Sequence, residues 1–414
     1  MRLRSFIFRH LLKLLFLLVL VPVSVGQERE YDKIIAAVAK LTPNDIPALR
    51  READLGDLKA QFILGLAYGS GKGLVADNKQ SFEWVSKSAS SGYAYAQSEL
   101  GTMYARGEGT SKDDAKAIEW FRRAADQGDR DGQYNLGTRY AFGYGTNVDF
   151  AEAAKWFLKA AQQGDAHSAA YLGRMSLNGE GVPKDEAAAA KWLRQAADAG
   201  LPEGEYYLAN LYRHGQGVPK DNREAVRWLT KAAEGGNAEA QANLGNMLCD
   251  GVGTRKDCKV GIEWLRKAAD HGDAAGQNNL GYHYLTGDYV PEDDKTAFSW
   301  FVKAAQQGLP IAESTVAAAY DQGTGVERNE SLAFQWYKKA SEDGDAKGQL
   351  NLAVMYFKGH GTERDRISAY RWLLLAEKAG QTDPKFKLIL ESVLTPDEQA
   401  RARRDAETWL NGHK

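Results

Sequence analysis

The chain has 414 residues, of which 43% are hydrophobic and 26% are charged, a balance typical of folded and not of disordered proteins. This length exceeds one compact core of ordinary size, so we expect two or three domains or one elongated array. The formal net charge of −2 gives no reason to expect nucleic acid or anionic lipid as a partner. Glycine is frequent, with 42 residues, and proline is scarce, with 10, as in a chain with many helix ends.

Residues 1–26 have the pattern of a secretory signal peptide. Basic residues without an acid precede an apolar run at residues 14–25, and the small residues Ser24 and Gly26 favour cleavage before Gln27. The run is shorter than the roughly 20 residues that span a bilayer, and an uncleaved membrane anchor is the alternative. No later segment is apolar enough to cross a membrane, so we predict a periplasmic or secreted protein without a stable membrane span after cleavage.

Residues 27–56 predict N-terminal capping helices. Two helical stretches, 30–40 and 43–55, form a degenerate hairpin, and Ala48 stands where the repeats that follow carry tryptophan. A terminal pair of this kind covers the apolar face that the first repeat would otherwise expose.

Residues 57–380 contain a repeat of 36 residues without an insertion or a deletion. A fixed period of this size indicates stacked supersecondary units. The sequence therefore predicts an all-α fold, an α-solenoid of nine helix-turn-helix repeats. The repeat is marked most clearly by Trp84, Trp120, Trp156, Trp192, Trp228, Trp264, Trp300, Trp336 and Trp372.

The unit 93–128 shows how one repeat is built. Apolar residues at helical spacing predict a first helix, helix A, over 94–106, which Gly107 terminates. Asp113 precedes the second apolar stripe and is positioned as the N-cap of helix B. Gly128 then closes the unit.

Glycine also occurs in the middle of helix A, where it costs roughly 0.5–1 kcal/mol relative to alanine. Its recurrence predicts a close approach of two helices at a point where no side chain fits. We expect the tryptophan of helix B to be the large side chain that fills the remaining space. The mid-helix glycines are Gly65, Gly101, Gly137, Gly173, Gly245 and Gly281, with alanine at the equivalent positions 209, 317 and 353.

Residues 381–414 predict C-terminal capping helices over 384–394 and 396–410. Thr395 and Glu398 have the spacing of a capping box, and Pro396 stands at the first helical position.

The repeated pattern, A-x-x-x-L-G-x-x-Y-x-x-G-x-G-V-x-x-D-x-x-x-A-x-x-W-x-x-x-A-A-x-x-G, resembles the Sel1-like repeat, a relative of the tetratricopeptide repeat. Residues 208–236 follow it closely, and the resemblance extends over residues 57–380. Ser176 and Leu248 replace the tyrosine, and Tyr289 replaces the second loop glycine. The resemblance implies a right-handed superhelix that organises protein complexes, often in bacterial envelopes, at host contacts or in endoplasmic-reticulum quality control.

Cys249 and Cys258 are the only cysteines, and they flank the loop between two helices of one repeat. In an oxidising compartment a disulfide between them is a reasonable expectation. Two unpaired thiols are the alternative, because a bridge requires the α-carbons to lie within about 7 Å.

Motifs of catalysis are missing. The sequence contains no S-x-x-K, S-D-N, K-T-G, H-E-x-x-H or G-x-S-x-G motif and no phosphate-binding frame, so we expect neither an enzyme nor a cofactor. The loop aspartates stand singly, which favours N-caps over a metal site. A cell-wall or β-lactam hydrolase is the alternative that these absences disfavour.

The residues that vary between repeats lie on the face of helix A opposite its apolar stripe. Asparagine and tyrosine there suit an extended peptide, because amides bond to a backbone and aromatic rings give contact area. We predict a protein or peptide partner bound along this face, which lines the concave side in related solenoids. Solvated or structural positions, and a carbohydrate-binding module, are the alternatives. The predicted central patch is Tyr171, Arg174, Tyr207, Asn210 and His214.

Overall fold

The computed structural model describes residues 29–412, so the predicted signal peptide lies outside the described residues. The described residues form 22 α-helices and no strand. None of these helices combines the length and the apolar composition needed to cross a membrane. A boundary after Ala199 divides the chain into an N-terminal and a C-terminal compact unit.

In the N-terminal unit, two helices precede four helix pairs. From α2 onward each helix packs against the next along the chain and is connected to it by a short glycine-containing loop, whereas α1 packs against α3. The helices are α1 (Glu30–Ala39), α2 (Ile46–Asp54), α3 (Leu58–Ser70), α4 (Asn78–Ser90), α5 (Ala94–Arg106), α6 (Asp114–Asp126), α7 (Arg130–Phe142), α8 (Phe150–Gln162), α9 (Ala166–Asn178) and α10 (Glu186–Asp198).

The C-terminal unit contains five helix pairs followed by two further helices. Its helices are α11 (Pro202–His214), α12 (Asn222–Glu234), α13 (Ala238–Asp250), α14 (Cys258–Asp270), α15 (Ala274–Thr286), α16 (Asp294–Gln306), α17 (Pro310–Gln322), α18 (Glu330–Glu342), α19 (Ala346–Lys358), α20 (Arg366–Lys378), α21 (Pro384–Val393) and α22 (Pro396–Gly412). The all-α fold and its repeated helix pairs are therefore as predicted. The odd-numbered helices from α3 to α19 are the helices A.

Helix starts follow the predicted capping chemistry. Asp113 accepts a hydrogen bond from the backbone N–H of Lys116 in the first turn of α6, and the aspartate or asparagine at each equivalent position caps its own helix B. The capping box before α22 is also confirmed. Thr395 N–H donates to Glu398 Oε2 over 2.8 Å, and Glu398 N–H donates to Thr395 Oγ1 over 3.3 Å.

The loops between helices A and B require the left-handed backbone conformation twice. Gly107 and Gly109 take φ of 74° and 69° in the loop after α5. Tyr289 takes φ of 67° at the position that is the second glycine in the other repeats, so the substitution leaves the loop conformation unchanged. This tyrosine bears the steric cost of roughly 1–2 kcal/mol that a side chain pays in that conformation.

The mid-helix glycines mark a close contact between helices A and B in the six repeats that carry them, as predicted. A Cβ atom built on Gly101 would lie 2.7 Å from the ring of Phe121, and the five other glycines meet the equivalent residue of their own helix B. That residue is the one that follows the tryptophan. Its identity varies, but it is fully buried in every repeat: Val85, Phe121, Phe157, Leu193, Leu229, Leu265, Phe301, Tyr337 and Leu373.

The tryptophans themselves are core residues in only part of the array. Trp84, Trp156, Trp228 and Trp372 are buried, whereas the other five are half-buried. The expectation that tryptophan is the main filler was therefore wrong for five repeats. The tryptophan indole lies closer to the surface, where a basic side chain often covers it; Lys303 Nζ, for example, lies 3.7 Å from the centre of the Trp300 ring.

A buried glutamine ties each helix A to the preceding helix B in six repeats. Gln97 Nε2 donates to the carbonyl oxygen of Ala89 over 3.1 Å, and Gln61, Gln133, Gln241, Gln277 and Gln349 make the equivalent bond. These bonds satisfy carbonyl groups at the helix end that would otherwise be buried without a partner. Sequence analysis did not identify this role.

We predict that Gly101→Ala destabilises the N-terminal unit by about 1–3 kcal/mol, because the new methyl group overlaps Phe121. In an open helix the same change would stabilise by roughly 0.5–1 kcal/mol. Chemical denaturation of the four members of a double-mutant cycle with Phe121→Ala measures the coupling. The destabilising effect of Gly101→Ala should vanish in the Phe121→Ala background; an equal effect in both backgrounds would contradict the steric account.

Candidate binding surface on the helix A face

The helix A face consists of the positions on the helices A opposite the buried stripe. In α5 these are Tyr95, Glu99, Thr102 and Arg106. These four positions, and the equivalent ones on the following helices A, are half-buried or exposed: Asp131, Asn135 and Thr138 on α7; His167, Tyr171, Arg174 and Asn178 on α9; Glu203, Tyr207, Asn210 and His214 on α11; Glu239, Asn243, Asn246 and Asp250 on α13; and Asn279 and Tyr282 on α15. The helix A face is therefore accessible, whereas the buried positions on the opposite side of each helix A recur from repeat to repeat.

Tyr171 lies in an aromatic cluster of the N-terminal unit. Its ring stacks on Phe157 with centroids 4.8 Å apart and planes 6° apart, and its other neighbours are Tyr134 and Phe142. Arg174 lies beside it, with Cζ 6.0 Å from the Tyr171 ring centre. Two residues that we had singled out from the sequence are therefore adjacent in space.

The exposed part of this cluster comes from residues that sequence analysis missed. Phe142 is 49% exposed and Tyr144 is 50% exposed, and their rings stack with centroids 5.8 Å apart. The sequence does carry a signal for them, because the loop FGYG replaces polar residues of other repeats with aromatic ones. Together with Tyr171 they give this part of the face a large apolar contact area.

Tyr207, Asn210 and His214 lie on α11 in the C-terminal unit. Tyr207 and Asn210 are half-buried, and His214 is exposed at the last position of the helix. The Tyr207 ring lies 5.3 Å from that of Tyr206, and His214 Nε2 accepts a hydrogen bond from Arg213 Nε over 3.3 Å.

Some asparagines of the face have structural partners. Asn279 Nδ2 donates to Asn246 Oδ1 over 3.0 Å, and Arg213 donates to Asn243 over 3.2 Å. These bonds connect the helices A of neighbouring repeats. The structural alternative to partner binding therefore applies to Asn243, Asn246 and Asn279.

A pocket of about 220 Å³ opens on the same face of the N-terminal unit. Helix α1 contributes Tyr31 and α5 contributes Tyr95 and Glu99, while Asp131 and Asn135 come from α7. The helix A face was predicted from the sequence, but this pocket was not, because α1 lies outside the repeats.

Asp129, the N-cap of α7, lies in the pocket wall. Its Oδ2 accepts a hydrogen bond from the backbone N–H of Gly132 over 2.6 Å. Burial of the carboxyl group raises its pKa to about 6, and the nearby Asp131 carboxylate adds to this, although the bonds from Gly132 and Ser98 act in the opposite direction.

Cys249 and Cys258 form a disulfide, with α-carbons 3.9 Å apart. His283 Nε2 lies 3.9 Å from Cys249 Sγ. Within residues 29–412 these three are the one group of potential metal ligands that converges. Because a metal binds the thiolate, the oxidised pair does not supply its sulfurs as metal ligands.

Tandem helix pairs with a recurring close contact and a variable helix A face define a helical-repeat protein. The Sel1 repeat profile matches nine consecutive segments: residues 58–93, 94–129, 130–165, 166–201, 202–237, 238–273, 274–309, 312–345 and 346–381. The chain therefore belongs to the Sel1 repeat family. Sel1 repeats generally mediate protein–protein interaction and are generally not catalytic.

Two solved structures are similar to this chain. One is a protective antigen of uropathogenic Escherichia coli strains that displays an SLR fold, with 31% identity, a TM-score of 0.60 and coverage of 88% of this chain and 86% of that one. The other is a Sel1 repeat protein from Oxalobacter formigenes, with 33% identity, a TM-score of 0.56 and coverage of 75% of this chain and 90% of that one. Among the curated proteins, none matches.

We predict that the Asp129 carboxyl titrates with a midpoint of about 6. Asp113, a half-buried N-cap, should titrate below its ordinary pKa of 3.8 because the Lys116 N–H stabilises its charge. Carboxyl-carbon NMR shifts against pH measure both residues.

The raised pKa of Asp129 also affects stability. The protonated form is favoured in the folded state, so this group contributes stability below about pH 4 that is lost as the pH rises towards 6. Asp129→Asn keeps a cap, since Asn237 has this role on α13, and should weaken this decline. An Asp129 midpoint at or below 4 would contradict the account.

Proposed function

We propose that the chain is a non-enzymatic scaffold of the cell envelope or a secreted scaffold, which binds a protein or a peptide along its helix A face. The observation that carries this proposal is that the core residues of each repeat recur while the residues of its accessible face vary. Core residues on both helices recur every 36 residues, whereas the accessible helix A face differs from one repeat to the next. The recurring core residues allow the repeats to stack, and the variable residues of the helix A face allow recognition of a specific partner.

The aromatic cluster around Tyr171 supports a protein partner. Exposed tyrosine and phenylalanine rings lose little side-chain entropy on binding and are enriched where interfaces gain most of their free energy. Phe142, Tyr144 and Tyr171 form one such patch, with Arg174 beside it. The patch fits an extended segment that carries apolar side chains.

The location is part of the proposal. It rests on the basic start, the apolar run and the small residues of the segment 1–26 and on the disulfide between Cys249 and Cys258, which persists in oxidising compartments. We expect a mature chain that begins at Gln27.

The test is crosslinking followed by affinity capture of the tagged protein from its native compartment, with N-terminal sequencing of the captured bait. We expect a defined protein partner, which the double variant Tyr171→Ala, Tyr207→Ala loses, because it removes aromatic contact area from the helix A face. The matched control is Leu158→Ala with Val260→Ala, since both residues are 38% exposed and lie on helices B. Equal loss in both double variants, or a partner retained in both, would contradict binding on the helix A face.

A further inference from the structure

Of the three acidic groups that line the pocket between α1, α5 and α7, only one has a basic partner among the described residues. Asp131 is paired with Arg29 and Arg130, each at 3.1 Å. For Glu99 and Asp129, no basic side chain of residues 29–412 lies within ion-pair distance. Arg106 acts on Glu99 and Arg29 acts on Asp129 only at longer range, so these two carboxyl groups carry their negative charge without a direct ion pair.

Glu99 is the clearest of these groups. Its side chain faces the cavity and so keeps some accessible surface, while protein atoms enclose it on the other sides. This burial raises the pKa of the Glu99 carboxyl, and the carboxylate of Glu108 raises it further. A cation in the cavity would relieve both effects by Coulombic attraction in a region of low dielectric.

Two tyrosines, Tyr31 and Tyr95, also line the pocket, together with the polar residues Ser98, Thr102 and Asn135. The rings of Tyr31 and Tyr95 lie 5.6 Å apart at an angle of 48°, and Tyr93 lies 5.6 Å from Tyr95. Aromatic faces attract a cation through their quadrupole, and they also bind the methylene stem of a long basic side chain.

The protein already places one cation at the rim of this pocket. Arg29 Nη1 donates to Asp131 Oδ1 over 3.1 Å, and Arg29 Cζ lies 5.8 Å from the centre of the Tyr31 ring. A guanidinium group is therefore compatible with both the carboxylate and the aromatic ring of the site. The cavity beyond Arg29, of about 220 Å³, is large enough for a second guanidinium group.

We propose that this pocket binds a cationic side chain, arginine or lysine, of the partner peptide. The inference rests on the proposed function, since it supplies the chemistry of one position in the peptide. Glu99 and Asp129 give the counter-charge, and Tyr31 and Tyr95 enclose the stem.

The experiment titrates the mature, full-length protein with N-acetyl-arginine methylamide and follows the NMR signals of Tyr95, Glu99 and Asp129. The lysine counterpart distinguishes guanidinium from ammonium, and the citrulline counterpart is the uncharged isostere. We expect saturable shifts with at least one charged probe and none with the citrulline probe. Equal shifts with the citrulline probe, or no saturable shift with either charged probe, would overturn the proposal.

Glu99→Gln removes the charge at constant shape and should weaken binding of the charged probe at least fivefold. The matched control, Glu119→Gln, removes a carboxylate that is exposed on α6 and paired with Arg123, and it should leave binding unchanged. If Glu99→Gln binds the charged probe as tightly as the wild type, the Glu99 carboxylate does not contribute to binding and the proposal is contradicted. Thermal melts establish folding, and Asp129→Asn gives a second variant that keeps the cap and should weaken binding in the same way.

The outcome separates the two proposals. Capture of a partner on the helix A face without binding of a charged probe would reject the cation pocket alone. Binding of the probe without any partner on that face would reject the scaffold function and retain the pocket.

Discussion

The contact between a glycine or alanine in the middle of helix A and the residue that follows the tryptophan is the constraint on which each repeat depends. At Gly101 the ring of Phe121 occupies the space where a Cβ atom would lie. In the six repeats with glycine, the two helices can approach this closely because helix A lacks a side chain at that point. The glycine costs helix propensity, and the packing of the fully buried partner offsets that cost.

This arrangement fixes which parts of a repeat are free to vary. The buried residue that follows the tryptophan, the N-cap of helix B and the buried glutamine each satisfy a requirement of packing or of hydrogen bonding, so they recur. The helix A face meets none of these requirements along most of its length. Variation there alters partner chemistry without disturbing the stack, which is how one fold can serve different partners.

The repeat period, the helix boundaries and the helix caps could be predicted from the sequence because each depends on a residue type that has the same physical role in every repeat. Glycine past a helix end and aspartate before one are examples. The core role of the residue that follows the tryptophan was missed because valine, phenylalanine, leucine and tyrosine occupy this position in different repeats. The tryptophan beside it is constant but half-buried in five repeats. The pocket was missed because Arg29 and Asp131, which meet at its rim, are 102 residues apart and share no period.

The central claim is that the partner binds on the helix A face and not elsewhere. Site-specific photo-crosslinking tests it most directly, with the reactive residue placed at Asn135 or Asn210 on this face and at Lys155 or Glu263 on exposed positions of helices B. The account predicts crosslinks to one partner from the first two positions and none from the last two. Crosslinks of equal strength from the helix B positions would contradict it.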